Sequence, residues 1–362
     1  MSPASSEPML LGSHMLEAPL LPGKKSPGAE RATTYPASIR EIVVCLDGSE
    51  FGSGIVPHAQ LVAKTLGARL TLLHVVESES ASGGARPDPL DWEIRQREAR
   101  THLEGLAAPL VELEYDIRVE VIQGLPAEQI CAWVEREGVD LTVLCSHGAR
   151  GLSDWNLAST ARKLIERTPG SLLLVPAAAA VKGAEVRYRR ILVPLDGSPR
   201  AESAVPMAVR IAASQNAELL LVHVVSVPEI TRIGPLDAEG AELERRLSEH
   251  NRRLASVYLD RLRTRTSQQT SGVRAIVTGD ETARAGLERL IREQEVDLVV
   301  MSAHGLTGRT DCHCGSVTEY ALMHATTPLL VIRDRIPHRA CRVGPSSDRL
   351  RERLGASSRT AL

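Results

Sequence analysis

The chain has 362 residues, 43% hydrophobic and 24% charged, which is length and apolar content enough for two soluble domains of ordinary size. A formal net charge of -2 removes the general electrostatic case for nucleic acid or an anionic membrane as partner, and 2% aromatic residues leave no stacking platform for bases. Six scattered cysteines (Cys45, Cys131, Cys145, Cys312, Cys314, Cys341), no apolar run near the roughly 18 residues of a membrane span and no signal-peptide order at the start make the cytoplasm the expected location.

Residues 1–38 are rich in Pro, Ser, Gly and Ala without periodicity and are predicted to be a disordered leader. The chain then says nearly the same thing twice. "IVVCLDGSEFGSGIVPHAQLVAKTLGARLTLLHVV" from Ile42 answers to "ILVPLDGSPRAESAVPMAVRIAASQNAELLLVHVV" from Ile191, and "VDLTVLCSHGARGLSDWNLAST" answers to "VDLVVMSAHGLTGRTDCHCGSV". Asp47 and Asp196 are 149 residues apart, whereas Gly148 and Gly305 are 157 apart, so the second copy carries a net 8 extra residues between its second strand and its glycine loop.

Within each copy, short β-branched runs alternate with longer segments of helical period, the sequence form of βαβ units around a parallel sheet. In the second copy strands are predicted near 189–195, 217–224, 272–278, 297–302 and 328–333, and helices near 200–214, 237–265, 281–294 and 315–325. Runs such as "LLLVHVV" are apolar on both faces, as in a sheet covered by helices on each side. The fold class expected is α/β, with two tandem doubly wound parallel-sheet domains at 39–177 and 188–334. Each copy ends in an apolar edge strand, "SLLLVP" from Ser171 and "PLLVIR" from Pro328, so the two are expected to pack as a pseudo-dimer inside one chain. Residues 335–362, with seven arginines, read as a basic, solvated tail.

Ligands of open parallel sheets bind outside the carboxyl ends of the strands, where strand order reverses. In the second copy this brings together Asp196, the end of "HVV" and the loop that follows "VVMS". Gly305 is expected to let that loop turn with positive φ, while Gly315 and Ser316, at a helix start, present backbone N–H groups and a hydroxyl to an anion. Asp196 is placed to accept hydrogen bonds from a ribose or the adenine side, and not to hold phosphate, since like charges repel. Cys312-His313-Cys314 lacks the spacing of a zinc half-site and no metal is expected there. His147 and His304 are read as turn residues and not as bases, and His74 and His223 as buried and satisfied. No nucleophile–base constellation repeats with the copies.

With these residues in view, the sequence resembles a tandem universal stress protein, whose nucleotide-binding members carry G-x-x-G-x9-G-[ST] after the fourth strand. The likeness runs from about residue 40 to 334. The second copy matches at Gly305, Gly315 and Ser316, with nine residues between the glycines, and has Ser302 where the motif opens with Gly. The resemblance further implies nucleoside contacts from Pro194, Asp196 and Val224 and from the backbone near Met301 and Val317. The first copy departs further, with Cys145 for the first Gly and Ala158-Ser159 for Gly-Ser. Its site, Asp47, Val75, Gly148 and Ser159, therefore ranks below the second. ATP is the cofactor implied, with Mg on its phosphates left open. The function expected is a stress-response or signalling module that binds adenine nucleotide and is not an enzyme. A scaffold that binds no nucleotide is the alternative, and a slow ATPase ranks last. Protein partners and homo-oligomers are left open.

Overall fold

The computed structural model describes residues 39–77, 89–112, 115–147, 159–180, 185–226, 238–270, 272–279, 282–306 and 314–333. The predicted leader and basic tail lie outside these, as do Gly148, Ala158, Cys312 and His313.

In the first copy β1 (Glu41–Leu46), α1 (Glu50–Gly54), α2 (Val56–Leu66), β2 (Arg69–Val76), α3 (Pro89–Glu112), β3 (Ile117–Gln123), α4 (Pro126–Glu137), β4 (Leu141–Cys145), α5 (Ser159–Arg167) and β5 (Ser171–Val175) follow in order. The second repeats them as β6 (Arg190–Pro194), α6 (Pro199–Glu202), α7 (Val205–Gln215), β7 (Glu218–Val225), α8 (Ala238–Thr266), β8 (Val273–Gly279), α9 (Ala283–Glu293), β9 (Leu298–Ser302), α10 (Ser316–Met323) and β10 (Leu329–Ile332). The expected strands and helices are present within a few residues, with one exception. The helix predicted near 200–214 is two, α6 and α7, because Pro206 has no N–H to give the Glu202 carbonyl and the chain tightens through i→i−3 bonds at Ser203 and Ala204.

The ten strands of the described residues form one sheet in the order β3-β2-β1-β4-β5-β10-β9-β6-β7-β8. Within each copy every pairing is parallel, and the copies join through one antiparallel pair, β5 with β10. Neighbouring residues on one strand serve opposite faces: Val43 belongs to one buried core and Val44 to the other, and both cores contain residues of both copies. The extra length of the second copy lies mainly in the β7–β8 crossover, where α8 has 29 residues against 24 in α3. Among the described residues no helix is long and apolar enough to cross a membrane.

The join is symmetric in a way the repeat makes readable. Leu173 lies opposite Leu330 in the antiparallel register, and these two are equivalent positions, 157 residues apart. On the helical layer below, Thr65 Oγ1 and Ser214 Oγ are 2.8 Å apart, again equivalent positions, at an offset of 149. A pseudo-twofold axis therefore runs between both pairs. It is broken where α2 meets the start of β6: the buried His58 places Nδ1 2.8 Å from the hydroxyl of the buried Tyr188 and Nε2 3.3 Å from the carbonyl of the partly buried Ala179. The equivalent positions hold Met207 and Ile39, both buried and apolar.

With Nε2–H donating to a carbonyl, Nδ1 accepts from the tyrosine, so the ring is neutral, and burial holds its pKa below the ordinary value despite the Ala179 carbonyl. The unfolded chain takes up a proton near pH 6.5 while folded His58 does not, so stability falls as pH drops below about 6.5 towards the folded pKa, by at most about 1.4 kcal/mol per pH unit. His58→Met, copying the other copy, is expected to flatten that slope in urea unfolding between pH 7.5 and 5. An unchanged slope would assign the acid sensitivity to another group.

Candidate functional site

In the second half the strand order reverses between β6 and β9, and the carboxyl ends of β6, β7 and β9 share one edge of the sheet. Pro194 closes β6, Val224 lies one residue from the end of β7, and Met301 and Ser302 close β9. Beyond β6 the chain turns through Gly197, whose φ of +84° lies in the left-handed region that favours glycine. Ser198 then caps α6, its hydroxyl accepting the Ala201 N–H at 3.1 Å.

This turn aims the Asp196 carboxylate across the switch point. Oδ1 accepts the Ser198 N–H at 2.9 Å, and Oδ2 accepts the N–H of Leu306, in the loop after β9, at 2.6 Å. Gly305 is the residue that makes this approach feasible. It does not have the positive φ expected of it. Instead, a Cβ added there would stand 2.1 Å from Asp196 Oδ2, so the glycine is required by the carboxylate against it and not by a left-handed turn.

The far end of the loop folds back on its start. Gly315 N–H donates to the Ala303 carbonyl at 2.7 Å, and Thr318 Oγ1 donates to the Ser302 carbonyl at 3.0 Å. Gly315 is the N-cap of α10, with φ -72° and ψ 160°, and no side chain caps the helix. Ser316 and Val317 are thus its first two residues, with N–H groups that have no partner within the helix. A Cβ on Gly315 would meet nothing nearer than 3.6 Å, and Gly305 N would be 3.9 Å from it. The fold alone does not demand a glycine at 315.

Asp196, Gly305, Gly315, Ser302 and the start of α10 are thus brought together through one loop. Met301 contributes only backbone to this edge, its side chain being buried in the core. Two participants were not visible in the sequence. Leu306 acts through its N–H, which no side-chain pattern marks, and Thr318 acts through a hydroxyl in the first helical turn.

In the first half Asp47 Oδ1 accepts from Ser49 N at 3.0 Å and Ser49 Oγ at 2.5 Å, and a Cβ on Gly52 would stand 2.6 Å from that oxygen. Ser159 opens α5, and Val75 is buried near the end of β2. Burial pushes the Cys145 thiol up to about 11, so it stays protonated and is no nucleophile at neutral pH. His147 makes a turn contact, Nδ1 to Ser146 Oγ at 2.8 Å.

The two strand histidines are half-buried and not fully buried as expected. His74 donates from Nδ1 to the Leu46 carbonyl at 2.9 Å, and burial lowers its pKa. Burial lowers the pKa of His223, against the Leu195 carbonyl and Asp196, which favour its charged form; no hydrogen bond of normal geometry forms at its buried Nδ1, and Tyr258 packs edge-on against the ring at 6.4 Å. Among the described residues no group of three or more His, Cys, Asp or Glu side chains is arranged to hold a metal.

The sequence matches the model of the universal stress protein family twice, over residues 38–176 and 187–333. It is 26% identical over 305 residues to Universal stress protein Rv2005c of Mycobacterium tuberculosis, covering 82% of this chain and 98% of that one. Among solved structures, the fold is similar to protein PA1789 from Pseudomonas aeruginosa, with a TM-score of 0.58 at 16% identity over 82% of this chain and 93% of that one. A universal stress protein from Archaeoglobus fulgidus gives a TM-score of 0.55 at 16% identity, covering 81% of this chain and 98% of that one.

Proposed function

The chain belongs to the universal stress protein family, and we propose that it binds adenine nucleotide, ATP in the first instance, at the switch point of its second copy, as a cytoplasmic stress-response or signalling module. The proposal takes residues 188–334 as the nucleotide-binding domain and 39–177 as its weaker partner. The observation that carries it is Gly315: an uncapped helix start whose cap residue lacks a side chain although the fold leaves room for one. Phosphates would lie against the N–H groups of Ser316 and Val317, favoured by the helix dipole by about 0.3–1 kcal/mol per charge. Asp196 has two oxygens, each accepting one N–H, and a carboxylate oxygen has lone pairs for more, so a ribose hydroxyl can join without displacing Leu306. Mg would enter with the phosphates and not as a resident ion. Turnover is not part of the proposal.

A scaffold that binds no nucleotide is the second reading, favoured by the Asp196–Leu306 bond, which closes the loop without a ligand. Denaturing the purified protein and analysing what is released separates the two. About one adenine nucleotide per chain is expected, none favours the scaffold, and two would overturn the ranking of the sites. Asp196→Ala is expected to weaken adenosine and ATP alike, by about 10- to 100-fold, because its contact is to the nucleoside and to the loop that frames it. A variant that lost ATP and kept adenosine would move Asp196 to the phosphate side.

A further inference from the structure

Arg333 follows β10 and is buried, with 7% exposure. Its guanidinium does not stay in the second copy. Nη1 donates to the Thr168 carbonyl at 3.0 Å and Nη2 to the Ile165 carbonyl at 2.6 Å, both at the carboxyl end of α5, and the backbone N–H donates to Ser171 Oγ at 3.4 Å. A cation is favoured at a helix carboxyl end, where the carbonyls lack partners within the helix. The same Nη2 also reaches Cys314 Sγ at 3.3 Å. Cys314 is the residue before Gly315, at the end of the glycine loop.

One side chain therefore fastens the end of the second copy's loop to the first copy's α5. That helix begins at Ser159, where the first copy's own loop ends. At about 1.5 Å rise per residue, its nine residues make a short rigid rod from one loop to the anchor of the other. The equivalent of Arg333, at an offset of 157, is Pro176, which has neither a charge nor an N–H. The bridge exists in one direction only.

We infer that Arg333 is a positioning residue for the second copy's phosphate loop, seating it on the first copy so that loop order and the seam between copies are coupled. The inference about phosphates rests on the nucleotide reading, whereas the anchoring does not. A coupling of this kind is reciprocal: whatever tightens the loop also tightens the end of α5.

The test uses the full chain and two variants. Arg333→Met cuts both ends of the bridge. Cys314→Ala cuts only the loop end and leaves the α5 carbonyls occupied, so it remains informative if the first variant folds poorly. Hydrogen exchange without ligand is expected to rise at both 165–171 and 314–318 in Arg333→Met, and only at 314–318 in Cys314→Ala. In calorimetric titration both variants are expected to bind ATP about three- to tenfold more weakly, with adenosine unchanged, and Arg333→Lys to recover part of the loss. Unchanged exchange at 314–318, or equal losses for ATP and adenosine, overturns the inference. If the unaltered protein takes up no ATP, the nucleotide reading fails, and the ligand-free exchange pattern still decides whether Arg333 is the anchor.

Discussion

Leu330→Asp is expected to destabilise the chain by about 4 kcal/mol or more, the range reached when a charge is buried without a partner in a packed core. Leu330 is fully buried and lies on the pseudo-twofold axis opposite Leu173, in the one strand pair that joins the copies. Its register partner is apolar, and the strand pair faces an apolar core on each side, since Leu173 and Leu330 belong to one core while Leu172, Leu174, Leu329 and Val331 belong to the other. Both cores cross the seam, so the loss falls on the two copies together and not on the second alone. Urea unfolding measures it, with Leu243→Asp on the exposed face of α8 as the control, expected within about 0.5 kcal/mol of the unaltered chain. A drop in Leu330→Asp no larger than the control's would mean that the copies fold independently and that the β5–β10 pair contributes little.

That seam was legible because the repeat turns one sequence into two observations. Apolar runs of strand length beginning at equivalent positions, Ser171 and Pro328, are what an edge strand looks like when it has a twin to pair with, and the antiparallel register between 172–174 and 329–331 follows from twofold symmetry. The juxtaposition at the candidate site was legible in its residues and less so in its reasons. Gly305 was assigned to a left-handed turn, but its smallness answers to Asp196, 109 residues earlier, a contact that local spacing cannot disclose. The same applies to His58 with Tyr188 and to Arg333 with Ile165 and Thr168. Periodicity reports which face of an element is buried, whereas these pairings depend on which side chains the folded sheet brings opposite one another. The break between α6 and α7 was a different omission, since Pro206 stood in the sequence and its missing N–H dictates the result.

The two loop glycines are expected to fail in different ways, and the difference separates a phosphate cradle from a turn. Gly305→Ala would drive a methyl group to 2.1 Å from Asp196 Oδ2, so the carboxylate must swing away and release the Leu306 N–H. Overpacking of that kind costs about 1–3 kcal/mol of stability, and, if Asp196 serves the nucleoside as proposed, ATP and adenosine binding should fall together. Gly315→Ala meets no such obstacle, its nearest neighbour being the Ala303 carbonyl at 3.6 Å. With φ at -72° the backbone suits alanine as well, so less than about 1 kcal/mol of stability is at stake, the scale of a poorer N-cap residue. If phosphate lies against this helix start, the same methyl occupies its place, and ATP binding should weaken about 10- to 100-fold with adenosine unchanged, as for a loss of about 1–3 kcal/mol. Thermal unfolding and titration of both ligands on both variants complete the comparison. Full ATP affinity in Gly315→Ala would mean that the absence of a side chain at 315 serves no ligand, and the second copy would then be a scaffold whose loop is closed by its own hydrogen bonds.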